Sequence, residues 1–138
     1  MIYALYRGLT DAAGPFVPLL LARRTPARRG ERLGHASIPR PAGPLIWVHA
    51  ASVGEVLSVQ VLVRRLLERD PRLTILVTTG TVTSARLIAE RLPDRAMHQF
   101  APLDRMAFVR RFLDHWKPNL AIWVESEIWP NMLTETEK

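Results

Sequence analysis

The chain has 138 residues, of which 48% are hydrophobic, and this length and composition predict one folded domain rather than a disordered polymer. It contains no cysteine and only four, widely separated histidines, which excludes disulfides and a cysteine nucleophile and leaves no predicted metal site. The net charge is +6, and residues 1–44 hold seven of the 19 basic residues but only two of the 13 acidic residues. Most of the excess positive charge therefore lies in this segment and is not spread over a folded surface, so no nucleic-acid partner is predicted.

The first 44 residues form an apolar and then arginine-rich arm, which ends in a Pro- and Gly-containing linker. Pro15 and Pro18 interrupt its apolar part, and positive charge follows that part, so neither a bilayer-spanning helix nor a secretory signal is predicted. We predict that the arm lies at a membrane surface; alternatively, it packs on a partner domain or a second copy of the chain. The predicted membrane-associating residues are Tyr6, Phe16, Leu20, Arg23, Arg24, Arg28 and Arg29.

From Leu45 onward, short apolar runs alternate with amphipathic helical patterns. Four such strand–helix units with short loops predict an α/β domain, with a Rossmann-like parallel sheet, helices on both faces, and the first strand beside the fourth. We expect this domain to span residues 45–138 and to be truncated at its C-terminal end, within the last helix. The predicted strands are 45–49, 74–78, 97–101 and 120–124, and the predicted helices are 55–69, 83–92, 104–115 (capped by Asp104) and a last one from Pro130.

Two acidic loops follow the first and the fourth predicted strands. Gly54 and Glu55 lie in the first loop, and Glu125 and Glu127 lie in the second. If these strands are neighbours, both loops lie at the edge of the sheet where α/β proteins build their sites. The Glu55 carboxylate can accept the proton of an attacking hydroxyl there. Of Glu125 and Glu127, one can orient Glu55 and the other can bind substrate hydroxyls. Alternatively, Ser52 and the glutamates only cap helices.

A loop rich in hydroxyl groups follows the second predicted strand. Residues 78–84 contain five serine or threonine side chains around Gly80. Such a loop can bind phosphate or sugar hydroxyls, or it can serve only as a turn and a helix cap. The sequence has no Gly-x-Gly-x-x-Gly and no Gly-Lys-Ser/Thr motif, so the usual fingerprints of dinucleotide and P-loop sites are absent.

Four blocks of the sequence stand out together: residues 46–55 (IWVHAASVGE), Val77-Thr78-Thr79 with Thr81 and Thr83, Pro102-Leu103-Asp104, and residues 125–131 (ESEIWPN). Together these blocks resemble the N-terminal domain of the Kdo transferases (3-deoxy-D-manno-octulosonic-acid transferases). They occur in the family's order and spacing, and the arm with Arg32-Leu33-Gly34 also fits. The sequence differs from the family pattern at residues 81–84, where Thr-Pro-Thr-Gly is usual, and at Ser126, where Thr is usual. The family's C-terminal domain is expected to be missing after Lys138.

The resemblance implies the acceptor-side half of a GT-B glycosyltransferase at the cytoplasmic face of the Gram-negative inner membrane, attached either peripherally or by a single N-terminal anchor. Such enzymes transfer Kdo from CMP-Kdo to a lipid A precursor with inversion and without a metal or other cofactor. Glu55 is then the expected base, with Glu125 and Glu127 beside it. Since CMP-Kdo is expected to bind mainly to the C-terminal domain, we expect this chain alone to be inactive. The expected acceptor-binding residues are Ser52, Gly54, Thr79, Thr81 and Asn131.

The alternative function is that of a non-catalytic α/β module. Such a module would bind membranes or partners through the arm and use its acidic loops only as helix caps. A nucleotide-binding enzyme of another kind is disfavoured by the missing glycine motifs.

Overall fold

The computed structural model describes residues 1–16, 28–124 and 128–138. Contacts divide the chain into two compact units. The first contains Met1–Ile38, Pro102–His115 and Ile128–Lys138, and the second contains Pro39–Ala101 and Trp116–Glu127. Each unit is thus assembled from segments that are distant in sequence. The predicted division of the chain at residue 44 into an arm and a domain stays a prediction.

The described residues form six α-helices and four strands, and a 3-10 turn at Gly14–Phe16 follows the first helix. The helices are α1 (Ile2–Ala13), α2 (Arg29–Arg32), α3 (Val53–Arg69), α4 (Val82–Ala89), α5 (Met106–Trp116) and α6 (Pro130–Thr136). The strands are β1 (Leu45–His49), β2 (Thr74–Thr79), β3 (Ala96–Phe100) and β4 (Leu120–Trp123).

The strands of the second unit form one parallel sheet in the order β3-β2-β1-β4. The register places His49 of β1 beside Thr78 of β2 and Trp123 of β4. The predicted α/β fold, a Rossmann-like parallel sheet with flanking helices, is therefore confirmed, as is the pairing of the first and fourth strands. The carboxyl ends of β1, β2 and β4 lie side by side at one edge of the sheet.

The core of the second unit lies between the sheet and its crossover helices. α3 contributes apolar side chains at spacings of three or four residues, as the sequence pattern predicts. Trp47 on β1 is fully buried and donates its indole N–H to Thr78 Oγ1 at 2.8 Å, which satisfies its polar group. Core residues include Val48, Val56, Val59, Val63, Leu67, Ile75, Val77 and Ile88.

The first unit joins α1 to the helices near the end of the chain. The Tyr6 hydroxyl donates to Asp104 Oδ2 at 2.7 Å. The sequence predicts Asp104 as the cap of the helix over residues 104–115, but that helix begins at Met106. The Asp104 carboxylate instead accepts the backbone N–H of Asn131 at 3.1 Å and of Met132 at 2.7 Å, so it caps the first turn of α6.

No helix within residues 1–16, 28–124 and 128–138 combines the length and the apolar character needed to cross a lipid bilayer.

Candidate functional site

The candidate site lies at the carboxyl edge of the sheet in the second unit. β1 leads into the turn that begins α3, and β4 leads toward the second acidic loop. The backbone N–H of Val124 donates to the His49 carbonyl at 3.0 Å, so the chain after β4 stays beside β1 up to that loop. Glu125 and Glu127 lie outside the described residues, and their proximity to Glu55 stays a prediction.

Glu55 lies in the first turn of α3 and is only 8% exposed. Its Oε2 accepts the backbone N–H of Ala51 at 2.6 Å, and its Oε1 accepts the Ser52 hydroxyl at 3.0 Å. Ser52 caps α3 because its Oγ also accepts the Glu55 N–H at 3.3 Å. The Ser-x-x-Glu capping pattern anticipated from the sequence is therefore present.

Capping leaves the Glu55 carboxylate with acceptor capacity. Each carboxylate oxygen has two lone pairs, and each oxygen of Glu55 has one described hydrogen bond. Ser52 and Gly54, on either side of the first helical residue, are both exposed. The edge of the sheet thus presents a hydrogen-bonded carboxylate next to an exposed rim, an arrangement compatible with accepting a proton from a bound alcohol.

The hydroxyl-rich loop after β2 divides into buried and exposed side chains. Thr79 is fully buried, and its Oγ1 is hydrogen-bonded to His98 Nε2 at 2.9 Å. Thr81 is exposed and caps α4, since its Oγ1 accepts the Ser84 N–H at 3.1 Å. The cap that the sequence suggested for this loop is present. Acceptor binding by either threonine stays a prediction.

Sequence reasoning did not connect the hydroxyl-rich loop to Glu55. In the structure, the backbone N–H of Gly80 donates to the Ala51 carbonyl at 3.2 Å, and the Ser84 hydroxyl donates to the same oxygen at 3.5 Å. Ala51 is the residue whose N–H binds Glu55. The available signal was the lone glycine among hydroxyl residues, because glycine often marks a close approach of backbone.

Asn131 lies in the first unit and is fully buried. Its Oδ1 accepts the Tyr3 hydroxyl at 3.2 Å, and its Nδ2 donates to the Asp104 carbonyl at 2.7 Å and to Thr10 Oγ1 at 3.4 Å. The side chain therefore connects α1 to α6 and to the segment just before α5. Its predicted role as an acceptor ligand has no described contact in its favour and stays a prediction.

The predicted membrane-associating residues lie in different surroundings. Phe16 is 67% exposed and Arg29 is exposed. Arg28 forms an ion pair with the buried Glu31 at 2.8 Å. Tyr6 faces Asp104, and burial together with that carboxylate raises the pKa of its phenol far above the usual value. Leu20, Arg23 and Arg24 lie outside the described residues.

Among the residues that the structure describes, no three His, Cys, Asp or Glu side chains come together in a way that would hold a metal ion. Metal-free transfer stays a prediction.

Comparisons with known proteins agree with the resemblance seen in the sequence. The family model described as "3-Deoxy-D-manno-octulosonic-acid transferase (kdotransferase)" matches residues 27–138. A probable mitochondrial 3-deoxy-D-manno-octulosonic acid transferase from Arabidopsis thaliana is 44% identical over 138 residues, covering 96% of this chain and 31% of the relative. The 3-deoxy-D-manno-octulosonic acid transferase of Rickettsia typhi is 44% identical over 97 residues, covering 70% of this chain and 21% of the relative. The 3-deoxy-D-manno-octulosonic acid transferase of Haemophilus influenzae is 40% identical over 111 residues, covering 80% of this chain and 26% of the relative.

The chain is thus similar to one part of these relatives. It spans between 21% and 31% of the length of the three proteins named above.

Proposed function

The chain belongs to the 3-deoxy-D-manno-octulosonic-acid (Kdo) transferase family, and on that premise we propose that the full-length protein transfers Kdo from CMP-Kdo to a lipid A precursor in lipopolysaccharide core biosynthesis. In this proposal the chain is the acceptor-side half of a GT-B enzyme, and CMP-Kdo binds mainly to a C-terminal domain. The family match and the parallel α/β sheet support the proposal.

Glu55 is the proposed catalytic base. The acceptor hydroxyl gives its proton to the carboxylate while its oxygen bonds to the anomeric carbon of Kdo. The bond from that carbon to the CMP phosphate breaks, and its electron pair leaves with CMP; attack from the opposite face inverts the centre. The observation that carries this assignment is the position of Glu55, held by Ala51 and Ser52 at the carboxyl edge of the sheet.

Further residues are proposed to bind the acceptor or to assist the base. Ser52, Gly54 and Thr81 are exposed and are proposed to contact the acceptor sugar. Thr79 and Asn131 are also proposed as acceptor ligands, and each would exchange a present side-chain hydrogen bond for one to the acceptor. For Glu125 and Glu127 we propose that one orients Glu55 and the other binds substrate hydroxyls. No metal or other cofactor takes part in this scheme.

The arm is proposed to hold the protein peripherally to the cytoplasmic face of the inner membrane. Three apolar side chains recur on one side of α1, a fourth follows in the 3-10 turn after it, and all four are 63% to 84% exposed. An amphipathic helix with neighbouring arginines binds anionic lipid surfaces through burial of its apolar face and through charge. These exposed side chains are Ile2, Leu5, Leu9 and Phe16.

Replacing Glu55 by glutamine in the full-length enzyme tests the proposed base. The amide keeps the size of the side chain but cannot accept the proton, so we expect kcat to fall roughly a hundred- to ten-thousand-fold. The matched control is Glu68→Gln on the same helix, whose carboxylate is 65% exposed and should leave turnover unchanged. Both are measured as Kdo transfer from CMP-Kdo to a lipid A precursor, with thermal unfolding as the check on folding.

The second candidate function is the non-catalytic module, and one observation favours it: both oxygens of Glu55 already accept hydrogen bonds, from the Ala51 N–H and the Ser52 hydroxyl, beside the start of α3. If Glu55→Gln lowers the stability of the protein but leaves turnover at the wild-type rate, Glu55 is a cap and the proposed catalytic role is wrong.

A further inference from the structure

Two turns at the carboxyl edge of the sheet are joined through Ala51. This residue is 6% exposed and lies between β1 and α3. Its N–H donates to Glu55 Oε2 at 2.6 Å, while its carbonyl accepts the N–H of Gly80 at 3.2 Å. The residue that holds the Glu55 carboxylate is therefore itself held by the turn after β2.

The approach between these turns depends on glycine at position 80. A Cβ at Gly80 would lie 3.3 Å from the Ala51 carbonyl oxygen and 3.8 Å from its Cα. The first distance is shorter than an ordinary van der Waals contact, so a side chain there would move the turns apart by a few tenths of an ångström.

Ser84 adds a second contact to the same carbonyl. It is fully buried in the first turn of α4, and its Oγ lies 2.6 Å from Thr81 Oγ1 and 3.5 Å from the Ala51 carbonyl oxygen. One arrangement of the two hydroxyl protons satisfies both contacts: the Thr81 hydroxyl donates to Ser84 Oγ, and the Ser84 hydroxyl donates to the Ala51 carbonyl. Through Ser84, the cap of α4 is connected to the residue that holds Glu55.

We infer that Gly80 and Ser84 are positioning residues, which fix Ala51 and thereby the direction of the Glu55 carboxylate. The inference rests on the proposed role of Glu55 as the base. A base has to lie within hydrogen-bond reach of the proton that it removes, and small displacements of a reacting group lower the rate steeply. The turn after β2 would then influence catalysis without contacting the reacting atoms.

The test is Gly80→Ala in the full-length enzyme, assayed with CMP-Kdo and a lipid A precursor. We expect kcat to fall roughly tenfold while the acceptor KM changes less than about twofold. The control is Gly30→Ala, because a Cβ at Gly30 makes only an ordinary contact of 3.7 Å with His35 and should leave both constants unchanged. A rise in acceptor KM with unchanged kcat would overturn the inference, since the turn would then contact the acceptor itself.

A double-mutant cycle with Glu55→Gln separates this inference from the proposed function. If Gly80 acts through Glu55, Gly80→Ala should lower kcat no further once the carboxylate is gone. An equal fold-loss in both backgrounds would overturn the positioning role and leave Glu55 as the base. Wild-type turnover of Glu55→Gln would overturn both.

Ser84→Ala serves if Gly80→Ala fails to fold, because it removes a hydroxyl without adding volume. We expect a smaller fall in kcat, which also disappears in the Glu55→Gln background. An unchanged kcat in Ser84→Ala would overturn the role assigned to Ser84.

Discussion

The Ser52 hydroxyl makes two hydrogen bonds at the start of α3, accepting the Glu55 N–H and donating to the Glu55 carboxylate. Ser52→Ala removes both, and we expect the free energy of unfolding to fall by about 1 kcal/mol. Ser52→Asn keeps a side-chain acceptor at the cap and should lose much less. Urea denaturation measures both variants, and equal losses would show that the side chain does not act as a cap.

The Tyr6 hydroxyl gives a second prediction for a single residue. Burial, the hydrogen bond to Asp104 and the charge of that carboxylate together raise the pKa of Tyr6 above its usual value of 10.0. A raised pKa means that the neutral phenol stabilises the folded state, and this stabilisation is complete below the pKa of the unfolded state. Above that pH the unfolded chain ionises first, so the stabilisation is lost as the pH rises through the folded pKa. We expect the free energy of unfolding to fall above about pH 10.

Urea denaturation between about pH 8 and pH 11 checks this expectation, with Tyr6→Phe as the control that cannot ionise. An equally steep loss of stability in Tyr6→Phe would assign the pH dependence to other groups.

The capping role of Glu55 could be predicted from the sequence, since Ser-x-x-Glu before an apolar periodic run is a local signal. The contact between Gly80 and Ala51 could not, because it joins residues of two separate turns and depends on the spacing of β1 and β2. The burial of Asn131 likewise follows from its contacts with Tyr3 and Asp104, which no local pattern reveals.

At the scale of elements, local sequence patterns predicted the boundaries of the strands accurately. β1 matches the predicted residues 45–49, and the ends of the other strands agree to within one residue. The helices differ more: α3 begins at Val53 because Ser52 is its cap, and α4 ends at Ala89 although an apolar pattern continues to Leu92. The grouping of α1 with α6 arises from tertiary hydrogen bonds, so the sequence did not indicate it.

Ile2, Leu5 and Leu9 form an exposed apolar stripe along α1, and this stripe leads to a prediction about membrane binding. Leu9→Glu places a charge on the stripe, and we expect the affinity for phosphatidylglycerol vesicles to fall roughly tenfold or more through lost burial and charge repulsion. Ala4→Glu is the matched control, because Ala4 is exposed but lies off the stripe. Co-sedimentation measures both variants. Equal weakening would mean that charge alone, and not the apolar face, governs binding.

At the scale of the whole molecule, the chain spans 31% of the Arabidopsis relative and less of the others named above. We expect the isolated chain to show no Kdo transfer from CMP-Kdo, because the proposed donor site lies mainly in a C-terminal domain. The full-length protein is the positive control in the same radiolabelled transfer assay. Turnover by the isolated chain at the full-length rate would show that it binds the donor without that domain.

The way α1 is attached to the first unit restricts how that unit can meet a lipid surface. Hydroxyls of Tyr3, Tyr6 and Thr10 bind Asn131 and Asp104, so the helix cannot rotate about its own axis without breaking them. Once the exposed apolar side chains of α1 enter the outer few ångströms of the acyl region, the inclination of the first unit to the bilayer is set as well. The first unit would then always present the same surface to the bilayer.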